Sequence, residues 1–489
     1  MKFSSLTRAL ASTALLTASL FSSSAVAIDV DPTNQDSLFA ATQEVALKLR
    51  ALYPDNETWF VAGEFGLIQT ADGKNNQGYY WWEAGAAMGA WVEYWHYTGD
   101  DQFNDIVTTA LLNQVGEDDN YEPSAQTLSL GNDDQAFWAL AVLSAAERVF
   151  PNPPSDKPQW LTLAMAVFNR QASRWDELNC GGGLRWQVVS TNAGYDYKNA
   201  ISNGLFFQMG ARLARYTGNA TYAEWAEKVY DWSKTTGIIS SEYKVYDGSH
   251  IPTDTNGDGM EPDCPVTEVY QWSYNAGVYL AGAAFMYNYT DGDAKWENET
   301  NNLMQAIQSP FFTSDYIMRE SACDPAPSDK AATCNTDQRS FKAYLSRFLA
   351  YTYQMAPFTQ SWILPRLQAS AVAAAATCNG GSDGKVCGLA WVKKTYDSSP
   401  YGIAVGGLGE HLSVMEILQA NFITTAVPPV TNTTGGTSVG DPAAGTGTGS
   451  LESKLQTDPS TTGDKAGAGI LTAIVLGLLL SLTYWLLRG

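Results

Sequence analysis

Apolar residues recur at positions i, i+3, i+4 and i+7 along nearly the whole chain from Ser37 onward, which is the spacing of one face of an α-helix. Alternation of apolar and polar residues, which is typical of half-buried strands, is rarely sustained. The chain is therefore expected to be all-α. The pattern predicts helices over residues 37–52, 79–97, 100–115, 133–149, 157–176, 199–217, 220–236, 269–289, 292–309, 339–355, 359–378 and 407–423.

The connections between these helices alternate between short and long. Short turns such as Tyr97–Asp100 and Tyr216–Asn219 place a glycine after one helix and an Asp or Asn cap before the next. An up-and-down array with all its long loops at one end is most simply an α/α toroid in a single domain. Because loops carry function on a rigid scaffold, we expect the functional site at the long-loop end. The long loops are predicted at residues 53–78, 116–132, 177–198, 237–268, 310–338 and 379–406.

Two adjacent carboxylates, Asp133 and Asp134, stand where one long loop meets a predicted helix. The preceding segment Tyr121–Gln126 supplies no Lys or Arg, so mutual repulsion is expected to raise at least one of the two pKa values. One carboxylate kept ionised at a helix N-terminus, beside another held protonated, is the pairing that glycosidic bond cleavage needs. Adjacent residues reach the ~5–5.5 Å of a retaining glycosidase more easily than the ~6.5–9.5 Å of an inverting one. For an isolated pair, a capping Asp beside a solvated one is the usual interpretation.

The other helix starts at this end collect polar and aromatic residues, so six separate segments are expected to converge on one cleft. Trp side chains suit stacking on sugar rings, although at a helix start they more often pack in the core. Arg185 follows a glycine run and is placed to donate to hydroxyl or phosphate oxygens. The candidate substrate-binding residues are Trp82, Glu83, Asn132, Gln135, Arg185, Trp186, Lys198, Asn199, Asn203, Trp272, Tyr274 and Asn275.

Composition excludes several function classes. The 489-residue chain has a net charge of −22 at pH 7, which repels phosphates, so no nucleic-acid partner is expected. Its 16 Trp and 25 Tyr suit carbohydrate faces as well as a core. Three scattered His predict no zinc site, and no Gly-x-Ser-x-Gly elbow indicates a serine hydrolase. No cofactor is expected.

A weak calcium-loop pattern is present at Asp254, Asn256 and Asp258. These residues space oxygen ligands as a calcium loop does, but the helix–loop–helix setting and the final bidentate Glu are missing. A surface loop with Asx turns is therefore the favoured interpretation.

Both ends of the chain have the features of processing signals. Residues 1–27 combine a basic start, an apolar stretch and a small-residue cleavage site, so we expect a secretory signal peptide. A folded body is expected over residues 28–423, followed by a flexible Thr-, Gly-, Ser- and Pro-rich stalk with a GPI-attachment region over 424–465. Residues 466–489 are interpreted as a hydrophobic GPI signal that is removed, with a retained single span as the alternative. The expected location is the outer face of the plasma membrane or the cell wall.

Six cysteines in a chain expected to be secreted imply disulfides. Cys323–Cys334 and Cys378–Cys387 bracket short loops and are expected to pair locally, which leaves Cys180–Cys264 by elimination. N-glycosylation sequons stand at Asn56, Asn219, Asn288, Asn298 and Asn432.

Four motifs in order, Gly131–Trp138, Gly182–Trp186, Tyr197–Asn203 and Tyr274–Gly277, resemble those of glycoside hydrolase family 76. With its signal peptide, stalk and GPI-like tail, the chain is similar to the fungal mannan endo-1,6-α-mannosidases of the "defective cell wall" type in that family. The resemblance covers roughly Asp29 to Phe422.

The resemblance implies an (α/α)6 barrel and retaining hydrolysis of α-1,6-linked mannose in the cell wall, with Asp133 as nucleophile and Asp134 as general acid/base. The sugar and the linkage come from the resemblance alone. A transglycosidase that cuts the GPI-core glycan of anchored proteins and joins them to wall β-glucan is the first alternative. A non-catalytic mannan-binding wall protein is the second, although such a protein needs neither Asp.

Overall fold

Helices dominate the parts of the chain that the computed structural model describes, which are residues 27–66, 79–252, 263–324, 333–397, 407–447 and 462–488. The twelve predicted helices are all present, with boundaries that differ by at most four residues. They are α1 (Gln35–Arg50), α2 (Trp81–Thr98), α3 (Asn104–Asn113), α4 (Asn132–Glu147), α5 (Trp160–Ser173), α6 (Ala200–Thr217), α7 (Ala220–Thr235), α8 (Ser273–Tyr289), α9 (Ala294–Ala306), α11 (Phe341–Met355), α12 (Gln360–Ala375) and α13 (Leu408–Gln419). The structure adds a one-turn α10 (Gln308–Phe311), a C-terminal α14 (Thr462–Arg488) and a two-stranded antiparallel ribbon of β1 (Tyr197–Asn199) and β2 (Gly248–His250).

Six inner helices form a closed ring. Helices α2, α4, α6, α8, α11 and α13 pack each against the next, and α13 packs back against α2. The outer helices α1, α3, α5, α7, α9 and α12 each cover an inner neighbour. The inner helices α4 and α8 are buried over nearly all of their residues, which agrees with their apolar character around the whole circumference. The expected α/α toroid is therefore confirmed.

The two ends of the barrel differ in their connections. The inner helices α2, α6, α8 and α11 end in short turns, and Gly99 and Gly218 close two of these turns with φ of 71° and 73°, which glycine adopts without strain. At the other end, long connections lead from each outer helix to the next inner helix. We call this the cleft end, because the inner-helix N-termini open there onto a cavity described below.

Charged side chains pair inside the barrel at the end away from the cleft. Arg148 donates to Glu93 at 3.0 Å, and Arg212 donates to Glu147 at 2.7 Å. The Tyr351 hydroxyl also donates to Glu93. Burial alone would raise the pKa of Glu93, but the Arg148 charge holds it below its usual value. Because each charge has a partner, this end tolerates buried ions.

Each of the three expected cysteine pairs forms a disulfide: Cys180–Cys264, Cys323–Cys334 and Cys378–Cys387. The first joins two long loops through cysteines that are 84 residues apart in sequence. Cross-links of this kind restrict the unfolded chain and fix the loops that carry the site. The five sequon asparagines are exposed.

Residues 425–447, which we call the strap, lie against the barrel, although this part of the chain was expected to be a flexible stalk. Ser438 Oγ accepts the backbone N–H of Leu161 at 3.0 Å, near the start of α5. Asn169 Nδ2 donates to the carbonyls of Pro442 and Ala444. The small residues that suggested flexibility instead allow the strap to approach α5 closely.

Among the residues whose side chains the structure describes, no helix is long and apolar enough to cross a membrane. Helix α14 includes residues whose side chains are outside that description. The signal peptide, the attachment region and the fate of the tail therefore stay predictions from the sequence.

Gly445 should be essential for strap packing. A Cβ at this position would lie 2.3 Å from the carbonyl oxygen of Ala166, and its φ of +73° disfavours other residues, whereas a Cβ at Gly447 meets nothing within 4 Å. We expect Gly445→Val to lower the free energy of unfolding by about 2 kcal/mol and the melting temperature by several degrees. Gly447→Val should match the wild type. Calorimetry of the two variants checks this, and equal melting temperatures would show that the strap does not pack as described.

Candidate active site

A cavity of about 330 Å³ opens at the cleft end, between the N-terminal ends of the inner helices. Aromatic rings and carboxylates dominate its walls. The lining residues are Trp82, Asp133, Asp134, Phe137, Trp186, Tyr197, Asn199, Ile201, Asp247, Trp272, Tyr274, Asn335, Asp337, Gln338 and Phe341. No Lys, Arg or His is among these described lining residues.

Asp133 and Asp134 are the second and third residues of α4, at the floor of this cavity. Asp133 Oδ2 accepts a hydrogen bond from Asn199 Nδ2 at 3.2 Å, and its Oδ1 accepts the backbone N–H of Asp134 at 3.0 Å. Asp134 Oδ2 accepts the backbone N–H of Gly131 at 2.8 Å. The helix start thus holds both carboxylates in fixed and different directions.

Gly131 leaves the space that the two carboxylates fill. A Cβ on this residue would lie 2.3 Å from Asp133 Oδ1 and 3.0 Å from Asp134 Oδ2. The two oxygens are therefore no farther apart than the sum of these distances, which suits the ~5–5.5 Å of a retaining carboxylate pair. The backbone of Gly131 is extended (φ −94°, ψ 155°), a conformation open to any residue. Space, and not backbone conformation, requires glycine here.

Burial raises the pKa of both carboxyl groups. The pKa of Asp133 lies well above its usual value because of burial and the charge of Asp134, although the hydrogen bond from Asn199 opposes this shift. Burial and, to a smaller extent, the charge of Asp337 raise the pKa of Asp134 to about 7, against the effect of the Gly131 N–H. Two such groups titrate as a pair, so the pair holds a proton near neutral pH.

Two further carboxylates, Asp337 and Asp247, face the cavity and were missed from the sequence. Burial raises the pKa of Asp337 to about 6, although Trp82 Nε1 donates to it at 3.2 Å. Asp247 accepts the Tyr197 hydroxyl at 2.8 Å and Asn275 Nδ2 at 3.0 Å. Both residues belong to long connections, where helical periodicity gives no signal.

Aromatic side chains form the upper walls of the cavity. Four predicted contacts, Trp82, Trp186, Trp272 and Tyr274, line it together with the predicted Asn199. Tyr274 stacks on Phe341 with ring centroids 3.7 Å apart. Phe137 and Phe341 were not anticipated, because apolar residues inside a helical pattern cannot be distinguished from core residues. Tyr197 was also missed, and it lies in β1, within a long connection where helical periodicity gives no signal.

Two predicted contacts lie behind the cavity wall. Glu83 is fully buried at the start of α2, where it accepts the backbone N–H of Tyr80 at 3.3 Å. Asn275 is also fully buried and positions Asp247. Both residues support the cavity and do not line it.

The other predicted contacts hold the loops beside the cavity. Lys198 is fully buried, with its Nζ donating to the carbonyls of Asp176, Asn179 and Gly182, and burial lowers its pKa to about 8. Asn203 bonds both backbone groups of Leu184. These two side chains fix the glycine-rich loop that leads to Trp186.

Arg185, Asn132 and Gln135 also lie outside the main cavity. Arg185 pairs with Asp176 at 2.7 Å and lines a second cavity together with Asn132. Gln135 is buried and donates to the carbonyl of Asn120. The structure therefore brings five of the twelve predicted binding residues to the cavity and places the other seven around it.

Comparison with known proteins identifies the family. Residues 37–433 match the model of glycosyl hydrolase family 76. The mannan endo-1,6-alpha-mannosidase DCW1 of Saccharomyces cerevisiae is 44% identical over 94% of this chain and 95% of its own length. The chain belongs to glycosyl hydrolase family 76.

Solved structures of family 76 have the same fold. The crystal structure of Dfg5 from Chaetomium thermophilum in complex with glucosamine is 42% identical, with a TM-score of 0.77, over 85% of this chain and 97% of that one. The alpha-1,6-mannanase GH76A of Salegentibacter sp. HEL1_6 is 17% identical to this chain. It was solved with alpha-1,6-mannotriose as an inactive variant in which two consecutive aspartates are replaced by asparagine. Its TM-score is 0.58, over 79% of this chain and 99% of that one.

In the described part of the chain, no three His, Cys, Asp or Glu side chains are grouped so that they could hold a metal ion. The weak calcium candidate, Asp254 with Asn256 and Asp258, lies outside the described residues.

Gly131→Ala should reduce activity without unfolding the protein. The added methyl group displaces the Asp133 carboxylate, and a misplacement of about 1 Å costs on the order of 10²-fold in kcat. The melting temperature should change little, because alanine adopts this backbone conformation. Gly66→Ala is the matched control, since a Cβ there meets its nearest atom at an ordinary 3.6 Å. Steady-state kinetics on an α-1,6-mannooligosaccharide decide the question, and wild-type kcat in Gly131→Ala would contradict the geometry.

Asp337→Asn should move the basic limb of the pH–rate profile to lower pH. The charge of Asp337 helps to raise the pKa of Asp134, so its removal lowers that pKa, and an acid that must be protonated then fails at a lower pH. Below about pH 6 Asp337 is itself protonated and uncharged, so the profiles of the variant and the wild type should differ little there. A profile of kcat/KM from pH 4 to pH 9 tests this, and a basic limb that stays in place or moves upward would exclude the electrostatic role.

Proposed function

We propose that this family 76 protein is a retaining endo-1,6-α-mannosidase that acts on mannan at the fungal cell surface. The observation that carries the proposal is the buried Asp133–Asp134 pair, closely spaced over Gly131 at the floor of an aromatic-lined cavity. The mannan substrate and the α-1,6 linkage come from the relatives, which are named mannan endo-1,6-alpha-mannosidases.

Asp133 is the proposed nucleophile. Its carboxylate receives two N–H donors, from Asn199 and from the backbone of Asp134, which oppose the rise of its pKa and favour its ionised form when Asp134 holds the proton of the pair. Its oxygen attacks the anomeric carbon while the glycosidic C–O bond breaks, which leaves a covalent mannosyl ester.

Asp134 is the proposed general acid and base. Burial and the nearby Asp337 favour its protonated form, so it can give its proton to the leaving oxygen. In the second step it takes a proton from water as the water oxygen attacks the anomeric carbon, which releases Asp133. The cavity aromatics, Trp82 and Trp272 among them, are proposed to stack on the mannose rings.

Transglycosylation is the second candidate function. If a sugar hydroxyl replaces water, the same ester passes to an acceptor such as wall β-glucan. Four carboxylates and no basic side chain line the described cavity, which suits a glycan bearing a protonated amine. A GPI-core glycan contains glucosamine, the sugar bound in the Dfg5 crystal. We propose such a glycan as the donor for this reaction.

The chain ends define the proposed domain organisation. Residues 1–27 would be removed on secretion, the body over 28–423 would carry the site, and the 424–465 segment would lead to a GPI anchor added when the tail from residue 466 is cleaved. The proposed location is the outer face of the plasma membrane or the cell wall.

Asp133→Asn and Asp134→Asn should each lower kcat by at least about 10³-fold. Both pKa values are raised in the folded protein, so ionisation opposes folding as pH rises through them. Neutral asparagines should therefore keep or increase the melting temperature at pH 7. Asp105→Asn, an exposed first-turn aspartate of α3, is the matched control.

Mass spectrometry of products from α-1,6-mannotetraose or a GPI-core glycan, each with and without a β-glucan oligosaccharide, distinguishes the candidate functions. Shorter mannosides alone support the hydrolase, and acceptor-linked products support the transglycosidase. Binding without any product would favour a non-catalytic mannan-binding protein, and a fully active Asp133→Asn or Asp134→Asn variant would overturn the assigned roles.

A further inference from the structure

Five large apolar side chains form what we call the apolar rim: Trp59, Leu128, Leu178, Val269 and Tyr270. Their exposure ranges from 53% for Trp59 to 74% for Leu128. Outside the strap and α14, they are the large apolar residues of the described chain that are more than half exposed. Exposed apolar side chains are candidates for an interaction site where they share one surface of a protein.

All five rim residues lie at the cleft end. Trp59 belongs to the α1–α2 connection, Leu128 to the α3–α4 connection and Leu178 to the α5–α6 connection, whereas Val269 and Tyr270 precede α8. Each of these connections joins an outer helix to the next inner helix. The rim therefore belongs to the surface onto which the catalytic cavity opens.

The strap runs toward that same end. Helix α5 begins beside Pro151, whose carbonyl accepts Trp160 Nε1, and it ends where Arg174 donates to Asn132, the first residue of α4. The strap contacts α5 first at Leu161, through Ser438, and later at Asn169. The eight residues from Leu161 to Asn169 correspond to a rise of about 12 Å along the helix axis. The strap thus extends along α5 from its start past its middle, toward the cleft end, and its last described contact is that of Gly445 with Ala166.

Three of the five sequons lie at the opposite end of the barrel. Asn219 lies in the α6–α7 turn, Asn288 lies near the end of α8, and Asn432 lies in the strap beside the end of α6. These three exposed asparagines lie at the end away from the cleft. Glycans attached to them would extend into solvent on that side. Asn298 lies on an outer helix, and Asn56 is at the cleft end.

We propose that the cleft end rests on the membrane surface to which the tail is anchored, with the apolar rim in the headgroup region. This inference rests on the proposed anchoring of the tail. Trp and Tyr favour the interface between lipid and water, and Leu and Val add apolar area to it. The tether increases the effective concentration of a weakly binding rim at that surface. The enzyme would then act on glycans close to the membrane.

The lipid partner is zwitterionic or neutral. A protein with a net charge of −22 is repelled by anionic headgroups, so the rim must act through apolar insertion. Adding anionic lipid should therefore weaken the contact.

Energy transfer from the protein to the bilayer tests the orientation. The full-length protein, carrying its C-terminal anchor, is placed on phosphatidylcholine vesicles that contain an acceptor-labelled lipid. All six cysteines are in disulfides, so a donor dye reacts selectively with one new thiol. Ser129→Cys places the dye at the cleft end, and Asp156→Cys places it at the other end, and both positions are exposed. Since α5 alone is about 21 Å long, we expect at least about twofold higher transfer from position 129.

The triple variant Trp59→Ser, Leu128→Ser and Leu178→Ser removes rim residues that do not line the main cavity. It should abolish the difference in transfer between the two dye positions and leave turnover of soluble α-1,6-mannotetraose unchanged.

The control triple variant replaces Phe358, Val427 and Val439, which are exposed at the end away from the cleft, with Ser. It should behave as the wild type in both assays.

The outcomes separate this inference from the proposed function. Equal transfer from the two dye positions, or higher transfer from position 156, overturns the proposed orientation even if mannotetraose is cleaved. Loss of asymmetry in both triple variants refutes a specific rim. A wild-type protein that shows the asymmetry but cleaves no mannoside retains the surface and refutes the enzyme assignment. A protein that does not stay with the vesicles refutes the anchoring on which the inference rests.

Discussion

The common direction of the six inner helices is the constraint on which the rest of the structure depends. All six N-termini meet at one end, and each leaves backbone N–H groups that need acceptors. Three inner helices solve this in the same way. Glu83 in α2, Asp134 in α4 and Glu410 in α13 are each the third helical residue, and each carboxylate accepts the N–H of the residue before the helix. The proposed catalytic acid is thus one member of a repeated capping arrangement.

What distinguishes Asp134 from the other two capping carboxylates is its surroundings. Glu410 pairs with Arg339 at 3.0 Å, and Glu83 is sealed in the core. Asp134 has no cation among the described cavity residues, borders the cavity and has a second carboxylate beside it at Asp133. Gly131 makes that closeness sterically possible. A carboxylate that caps a helix can therefore act as a proton donor when no cation lies beside it and a ligand can reach it.

Helical periodicity and turn chemistry were enough to predict the barrel, because each helix must bury its apolar residues wherever it lies. The Asp133–Asp134 pair was also recognisable, because a helix start fixes where both side chains project. Periodicity could not show which polar residues reach the cavity. Lys198 and Asn203 stand beside the right segments but turn inward to hold backbone carbonyls and amides. Asp337 and Asp247 arrive from long loops whose course depends on tertiary contacts.

Composition was misleading for the strap, where glycine indicated flexibility and instead provides close packing. Gly440 and Gly445 show the difference, since a Cβ on either would meet α5 within 2.8 Å. The same small residues can mark a free chain or a tightly docked one, and only the neighbouring surface distinguishes the two. Here that surface is α5, against which the strap is docked.

The central claim is that Asp133 forms a covalent ester while Asp134 handles the proton. Peptide mapping by mass spectrometry of the Asp134→Ala variant, incubated with an α-mannosyl fluoride whose leaving group needs no acid, tests this most directly. We predict a mannosyl adduct on the peptide that contains Asp133, located at that residue by fragmentation and absent after Asp133→Asn. An adduct on Asp337 or Asp247, or release of a product of inverted configuration without any adduct, would contradict the account.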